Sequence, residues 1–211
     1  MVSGRTKLSA ETHELARRAQ AGEHGRTMRP AEFSLDEAGA LAGLSPEMRY
    51  AHAVKLIAER APLRVLDGER IVGSATLLEA AHHMTPVLGA PSTSHTTLGF
   101  DRALRVGYRG LREQVRSRLA RGGLDEKGRD LLEAMLVCLD AAGTWHRRHV
   151  ELLERRVAEA RGAARATYER VLAALRPVPE EPPRTFHEAV QALWMLYAFQ
   201  RLCGTWSGLG R

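Results

Sequence analysis

The chain has 211 residues, 44% of them hydrophobic and 27% charged, the balance of an ordinary globular protein of one domain or a little more. Two cysteines exclude a disulfide scaffold and any four-cysteine zinc site. The net charge of +6 comes almost wholly from arginine, since Lys7, Lys55 and Lys127 are the only lysines. These arginines alternate with acids along helical faces, without the stacking aromatics or motif of a nucleic-acid binder, so no nucleic-acid partner is expected.

Residues 1–40 read as a loosely attached arm. It carries one amphipathic helix, Ser9 to Gln20 with Ser9 as cap, before Gly22, Gly25 and Pro30 break the pattern. The start, Met1-Val2-Ser3-Gly4-Arg5, has no apolar leader region, and the longest apolar run, Leu193 to Phe199, is far short of the ~20 residues that span a bilayer. The expectation is a soluble, cytoplasmic protein with no membrane partner. A second helix opens at Ser45-Pro46, where serine caps and proline takes the first turn, and runs to Arg60. Leu63 to Gly73 places two short apolar runs around Asp67-Gly68, which predicts a β-hairpin. A short helix over Ala75–His83 precedes a long polar loop, Ser92 to Thr97, of the kind that is usually functional.

From Phe100 to Arg121 the helical period returns in Leu104, Tyr108, Leu111, Val115 and Leu119, and Gly122-Gly123 close it. The strongest periodicity is Asp125 to Ala160, with an apolar stripe wide enough for more than one neighbour. A helix over Ala163–Leu175 follows. Pro177 to Pro183 then reads as a stiff, extended connector, and Thr185 with Glu188 as a capping box for a last helix. That helix, Ala189 to Phe199, has almost no polar face. Either it is the central helix of a small bundle, or it belongs against polypeptide that this chain lacks. The fold class is mainly α.

The order of these segments resembles the N-terminal region of glycyl radical enzymes of the pyruvate formate-lyase type. Glu59-Arg60-Ala61-Pro62 and Asp67 to Gly73 are similar to that family's E-R-x-P stretch and acidic-Gly turn leading to I-V-G. His95 and Phe100 to Leu111 resemble its histidine loop and G-x-x-G-L helix. Val178-Pro179 and Pro182 to Trp194 resemble its "V-P…P-P-x-T-F-x-E-A-L-Q-x-x-W" block, and Ser207 to Arg211 its "S-x-G-R". The resemblance implies the helical N-terminal portion of an α/β barrel, covering about residues 41–211, and hence a lyase, dehydratase or formate acetyltransferase-like enzyme working anaerobically. It also implies a glycyl radical installed by a radical S-adenosylmethionine activating enzyme.

Two parts of the family pattern are missing. There is no G-C-x-E loop for a thiyl cysteine and no R-V-x-G-aromatic motif for a radical glycine. Cys138 and Cys203 sit in helical sequence and read as buried small apolar groups. Arg105-Val106-Gly107-Tyr108 lacks the spacer residue and matches the early G-x-x-G helix instead. The expectation is therefore a truncated or split subunit, with no catalytic residue and no cofactor of its own. It would be completed by a second chain carrying barrel and radical domain, or would work as a homodimer. The alternative is a non-catalytic helical module that binds a partner or survives as a remnant.

His95 and Arg211 are the expected substrate-binding residues by that resemblance. His146 and His149, three apart, have metal-ligand spacing but no third ligand, and read as core histidines with no metal. His82-His83 would point about 100° apart on a helix, and no phosphate loop or nucleophile elbow is present.

Overall fold

A computed structural model describes residues 9–21, 41, 43–73, 94–97, 99–203 and 206–208. Six helices are described: α1 (Ala10–Gln20), α2 (Pro46–Arg60), α3 (Phe100–Ala120), α4 (Glu126–Glu159), α5 (Gly162–Leu175) and α6 (Phe186–Leu202). Strands β1 (Ser94–Thr97) and β2 (Trp206–Gly208) form a parallel pair, Ser94 opposite Trp206 and Thr97 opposite Gly208. No described helix is long and apolar enough to cross a membrane.

The helix starts follow their caps. Ser45 Oγ accepts from the Met48 amide at 3.4 Å, Asp125 from Gly128 at 2.8 Å, and Thr185 from Glu188 at 3.1 Å. Glu188 reaches back to the Arg184 amide at 2.6 Å, one residue outside the usual capping-box partner. The long helix α4 is the spine, with α2, α3 and α5 packed along it. Arg148 of α4 donates to the Ala58 and Ala61 carbonyls at 2.6 and 2.9 Å, satisfying acceptors that the end of α2 leaves open. Ile57, Trp145, Leu153, Leu175, Met195 and Leu202 are all fully buried in one core. Each contributes on the order of 1.5–3 kcal/mol by leaving water.

Three expectations are corrected. First, residues 63–73 form no hairpin. The Asp67-Gly68 turn exists, with the Glu69 amide donating to the Leu66 carbonyl at 3.1 Å and Tyr168 donating its hydroxyl to Asp67. But Val65 and Val72 are buried in the helical core, and the Gln191 side chain takes both backbone groups of Val72, at 2.9 and 3.0 Å. With those groups engaged, Val72 has nothing left to ladder across the turn.

Second, Pro177–Pro183 is no extended connector. Residues 176–180 turn tightly, Val178 and Pro179 are buried, and the Val178–Pro179 peptide is cis. This turn docks where α3 bends. Gly107 has φ 65° and ψ 175° in mid-helix, and the bend releases the Tyr108 and Arg109 amides, which donate to the Pro179 and Glu180 carbonyls at 2.9 and 3.2 Å. Arg112 completes the joint, donating to Asp140 at 2.6 Å, to Glu180 at 2.7 Å and to the Leu139 carbonyl at 3.0 Å. Arg112→Met is expected to lower stability by about 1–2 kcal/mol, read as a shift in the urea midpoint. Arg112→Lys should recover only part of it, because an ammonium cannot span the same fork of acceptors.

Third, α6 is not left uncovered. Every residue from His187 to Cys203 is buried or half-buried, and only Phe186 at its start, 86% exposed, stands in solvent. The bundle reading of this helix is the one the fold realises. The expected arm helix is present as α1; the rest of residues 1–40, and the expected helix at Ala75–His83, lie outside the described residues.

Candidate functional site

The polypeptide segments that carry the motifs meet at two places. At one, the parallel pairing sets the strand of His95 beside the strand containing Ser207 and Gly208. These two segments are more than a hundred residues apart in sequence, yet hydrogen-bonded neighbours in space. Arg211, the other expected substrate contact, lies outside the described residues.

At the other, the G-x-x-G helix and the V-P turn lock together around Gly107. A Cβ at Gly107 would lie 2.9 Å from the Glu180 carbonyl carbon and closer still to its oxygen. Gly143 on α4 has the same duty, since a Cβ there would lie 2.6 Å from the Glu180 carboxylate. A polar cleft of about 720 Å³ opens beside this joint, lined by Arg109, Arg112, Arg116, Arg147, Asp140 and Glu180 among others. The Glu180 hydrogen bond, ahead of every other influence, holds the Arg112 guanidinium still more firmly protonated than usual. Its donors are spent on the joint, which makes Arg112 a structural tie between α3, α4 and the turn.

Neither cysteine is prepared for attack. Burial pushes the Cys138 thiol up to about 11 and the Cys203 thiol higher still, so both stay protonated at neutral pH. Both border a cavity of about 440 Å³ between α2, α3, α4 and α6, with Tyr50, Tyr108 and Phe199. Gly107, backed against Glu180, forms the bend in α3.

His146 and His149 are core histidines, as their spacing on the apolar stripe suggests. His146 donates through Nε2 to the Leu175 carbonyl at 2.8 Å, and His149 through Nδ1 to the Trp145 carbonyl at 3.0 Å. The His149 ring packs edge-on against Trp145, with centroids 4.4 Å apart. His187 likewise donates to the Arg70 carbonyl at 3.1 Å.

Burial lowers the His149 pKa to about 4 and lowers that of His146 as well. The unfolded chain takes up a proton at His149 near pH 6.5, whereas the folded chain resists until about pH 4. Stability should therefore fall as pH drops through that window, by about 3 kcal/mol from His149 alone. Urea unfolding between pH 7 and pH 4 measures the slope, and His149→Gln should flatten it.

Sequence reasoning missed Arg112, Glu180 and Gln191. Gln191 alone left a signal, as a lone amide inside the apolar run of α6.

Comparison with known proteins matches this geometry to one family. Residues 78–205 match a family model described as pyruvate formate lyase-like. The isethionate sulfite-lyase of Oleidesulfovibrio alaskensis is 35% identical over 111 residues, covering 49% of this chain and 13% of that protein. That of Nitratidesulfovibrio vulgaris is 32% identical over 111 residues, with the same 49% and 13% coverage. The match thus spans 13% of the length of these curated relatives. Among solved structures, the B12-independent glycerol dehydratase of Clostridium butyricum superposes with a TM-score of 0.74 at 15% identity, over 96% of this chain and 35% of that one. A glycyl radical enzyme from Archaeoglobus fulgidus gives 0.65 at 19% identity, over 85% and 34%. These two likenesses establish the fold.

Proposed function

Because the chain belongs to the pyruvate formate lyase-like family, we propose that it forms the N-terminal helical casing of a glycyl radical enzyme of the radical lyase, dehydratase or formate acetyltransferase-like kind. Alone it is not competent. Further polypeptide, whether of the same chain or of a second one, supplies the barrel, the thiyl cysteine and the radical glycine, and a radical S-adenosylmethionine activating enzyme installs the radical there. Cys138 and Cys203 pack against the helical core and Gly107 forms the bend in α3, so none of the three is assigned to that chemistry.

One observation carries the reading: the parallel pair β1–β2. Two parallel strands alone are not a stable sheet, and parallel sheets occur with many strands and both faces covered. Among the described residues neither β1 nor β2 has a second neighbour, and further parallel strands at those edges would continue a barrel, with His95 on the first strand and Trp206–Gly208 beside it. His95 and Arg211 would then face substrate in the completed cavity.

The test is anaerobic electron paramagnetic resonance on the chain mixed with the product of the adjacent reading frame and its activating enzyme. A glycyl signal and turnover that need both chains support the proposal; silence in the complete mixture counts against it. A second reading, a non-catalytic helical module, is favoured by the enclosure of α6. A stable solitary particle that binds no apolar dye and gives no radical with any companion would establish it.

A further inference from the structure

The bend in α3 leaves a hollow in its crook, the cavity of about 440 Å³ that the two cysteines border. The arm before Gly107 lines it with Arg102 and Ala103, and the arm after with Tyr108 and Leu111. Val54, Ala142, Leu196 and Phe199, all buried, close it from α2, α4 and α6. Packed interiors leave few voids larger than a water molecule, so a space of this size is a feature of the design. The backbone that makes it is costly, since a left-handed residue in mid-helix is strained, and strain of that kind collects at ligand sites.

The hollow also has a mouth. Tyr50, Arg102, Leu111, Cys138 and Leu139 line both it and an open groove of about 780 Å³ between α2, α3 and α4, so the two spaces are continuous. Arg102 stands at that junction. It donates to the Gln114 side chain twelve positions on, which a straight helix would place about 18 Å away and which the bend brings within reach. Gln114 is neutral, and Arg102 meets no carboxylate among the described residues. Most of its five donors are therefore unspent.

Size and charge select the occupant. Walls of packed side chains behind a mouth admit a small molecule and keep out a helix or a nucleic-acid strand. An apolar cavity of about 150 Å³ takes one benzene ring, so this one has room for a body of about two fused rings. Among the described residues no Asp or Glu lines it, which leaves nothing to hold a cation; Glu47 borders the outer groove alone. The inner wall is uncharged, and a carboxylate buried there would lose its water without gaining a partner. The one charge in the lining is the guanidinium of Arg102, at the mouth.

We propose that the cavity binds a small apolar carboxylic acid as its anion, with the hydrocarbon body in the crook of α3 and the carboxylate on Arg102 at the mouth. The site shares no residue with the expected substrate contacts His95 and Arg211. It holds equally for an enzyme casing and for a stand-alone module, and its test reads no turnover.

The test uses the full chain with 2-naphthoate as the probe, and 2-naphthamide and 2-naphthylmethylamine as its neutral and cationic counterparts. Ligand-observed NMR titration at neutral pH should give 2-naphthoate a Kd of about 0.1–1 mM, the range open to a ligand of about a dozen heavy atoms. The acid should bind about fivefold tighter than the amide, and the amine weakest of the three. Arg102→Gln should bring acid and amide within about twofold of each other, because Arg102 is exposed and acts on the head alone. Ala142→Leu fills the hollow and should weaken acid and amide alike by about tenfold or more. Should circular dichroism show that variant unfolded, Leu139→Trp at the half-buried mouth is read in its place. Met135→Gln alters only the outer groove and should leave the affinity within about twofold. Equal binding of acid and amide, tighter binding of the amine, or no binding up to about 10 mM would overturn the proposal. So would binding that survives in a folded filled variant, or binding that Met135→Gln abolishes.

Discussion

Gly107→Ala is expected to cost at least about 3 kcal/mol, enough to move the urea midpoint by more than about 1 M. Two independent penalties meet at this residue. Its backbone, φ 65° and ψ 175°, lies in a region that is essentially reserved for glycine. The added methyl group would also press on the Glu180 backbone, whose carbonyl carbon is 2.9 Å from the Cβ position. Relief requires the turn at 176–180 to lift away, which strips the Tyr108 and Arg109 amides of their acceptors. Gly110→Ala is the useful contrast. A Cβ there meets only the Val106 side chain, 2.8 Å from its Cβ, on backbone with no left-handed φ, so the loss should be smaller. Equal losses at the two positions would show that the bend in α3 is not the source of the penalty.

Gln191→Leu should be comparably severe, at about 3–5 kcal/mol by equilibrium unfolding. The leucine fills similar space, so the loss isolates the hydrogen bonds. It leaves the Val72 amide and carbonyl without partners, in a residue with no solvent exposure, and each such orphan costs about 1–3 kcal/mol. Against a total stability of roughly 5–15 kcal/mol this is a large fraction. Gln191→Asn keeps the same chemistry one methylene short, and should lose the clamp in proportion to the distance it cannot reach. Proteolysis within residues 63–73 should accelerate in both variants, because Gln191 holds both backbone groups of Val72 and, among the described residues, leaves α6 only the His187 hydrogen bond to Arg70 when it is lost.

What the sequence discloses and what it conceals divides along range. Local rules read correctly at Ser45-Pro46 and at Thr185, since a cap is settled within four residues of itself. The Asp67-Gly68 turn was legible for the same reason. Its flanks were not, because their partner, Gln191, lies 119 positions away. Residues 177–183 misled for a related cause. Their prolines favour extension, but Arg112 and the two amides freed at Gly107 offered a stronger reason to fold back. Gly107 itself was invisible as a bend, since the apolar period of Leu104, Tyr108 and Leu111 runs through it without a break. The apolar character of α6 was plain, yet composition did not say which elements would enclose it. The two expected substrate contacts were read from family likeness, and the described structure places only the strand of His95.

The β1–β2 pairing has a kinetic corollary. Joining Thr97 to Gly208 closes a loop of about a hundred residues that contains α3, α4, α5 and α6. Loop closure of that length yields no hydrogen bond until nearly all the intervening helices are in place. The strands are therefore late arrivals, acting as a seal on an assembled scaffold rather than as its seed. Any neighbouring strand that extends this sheet must wait for the same seal, which makes completion of the helical scaffold the gatekeeper of whatever is built on its edge.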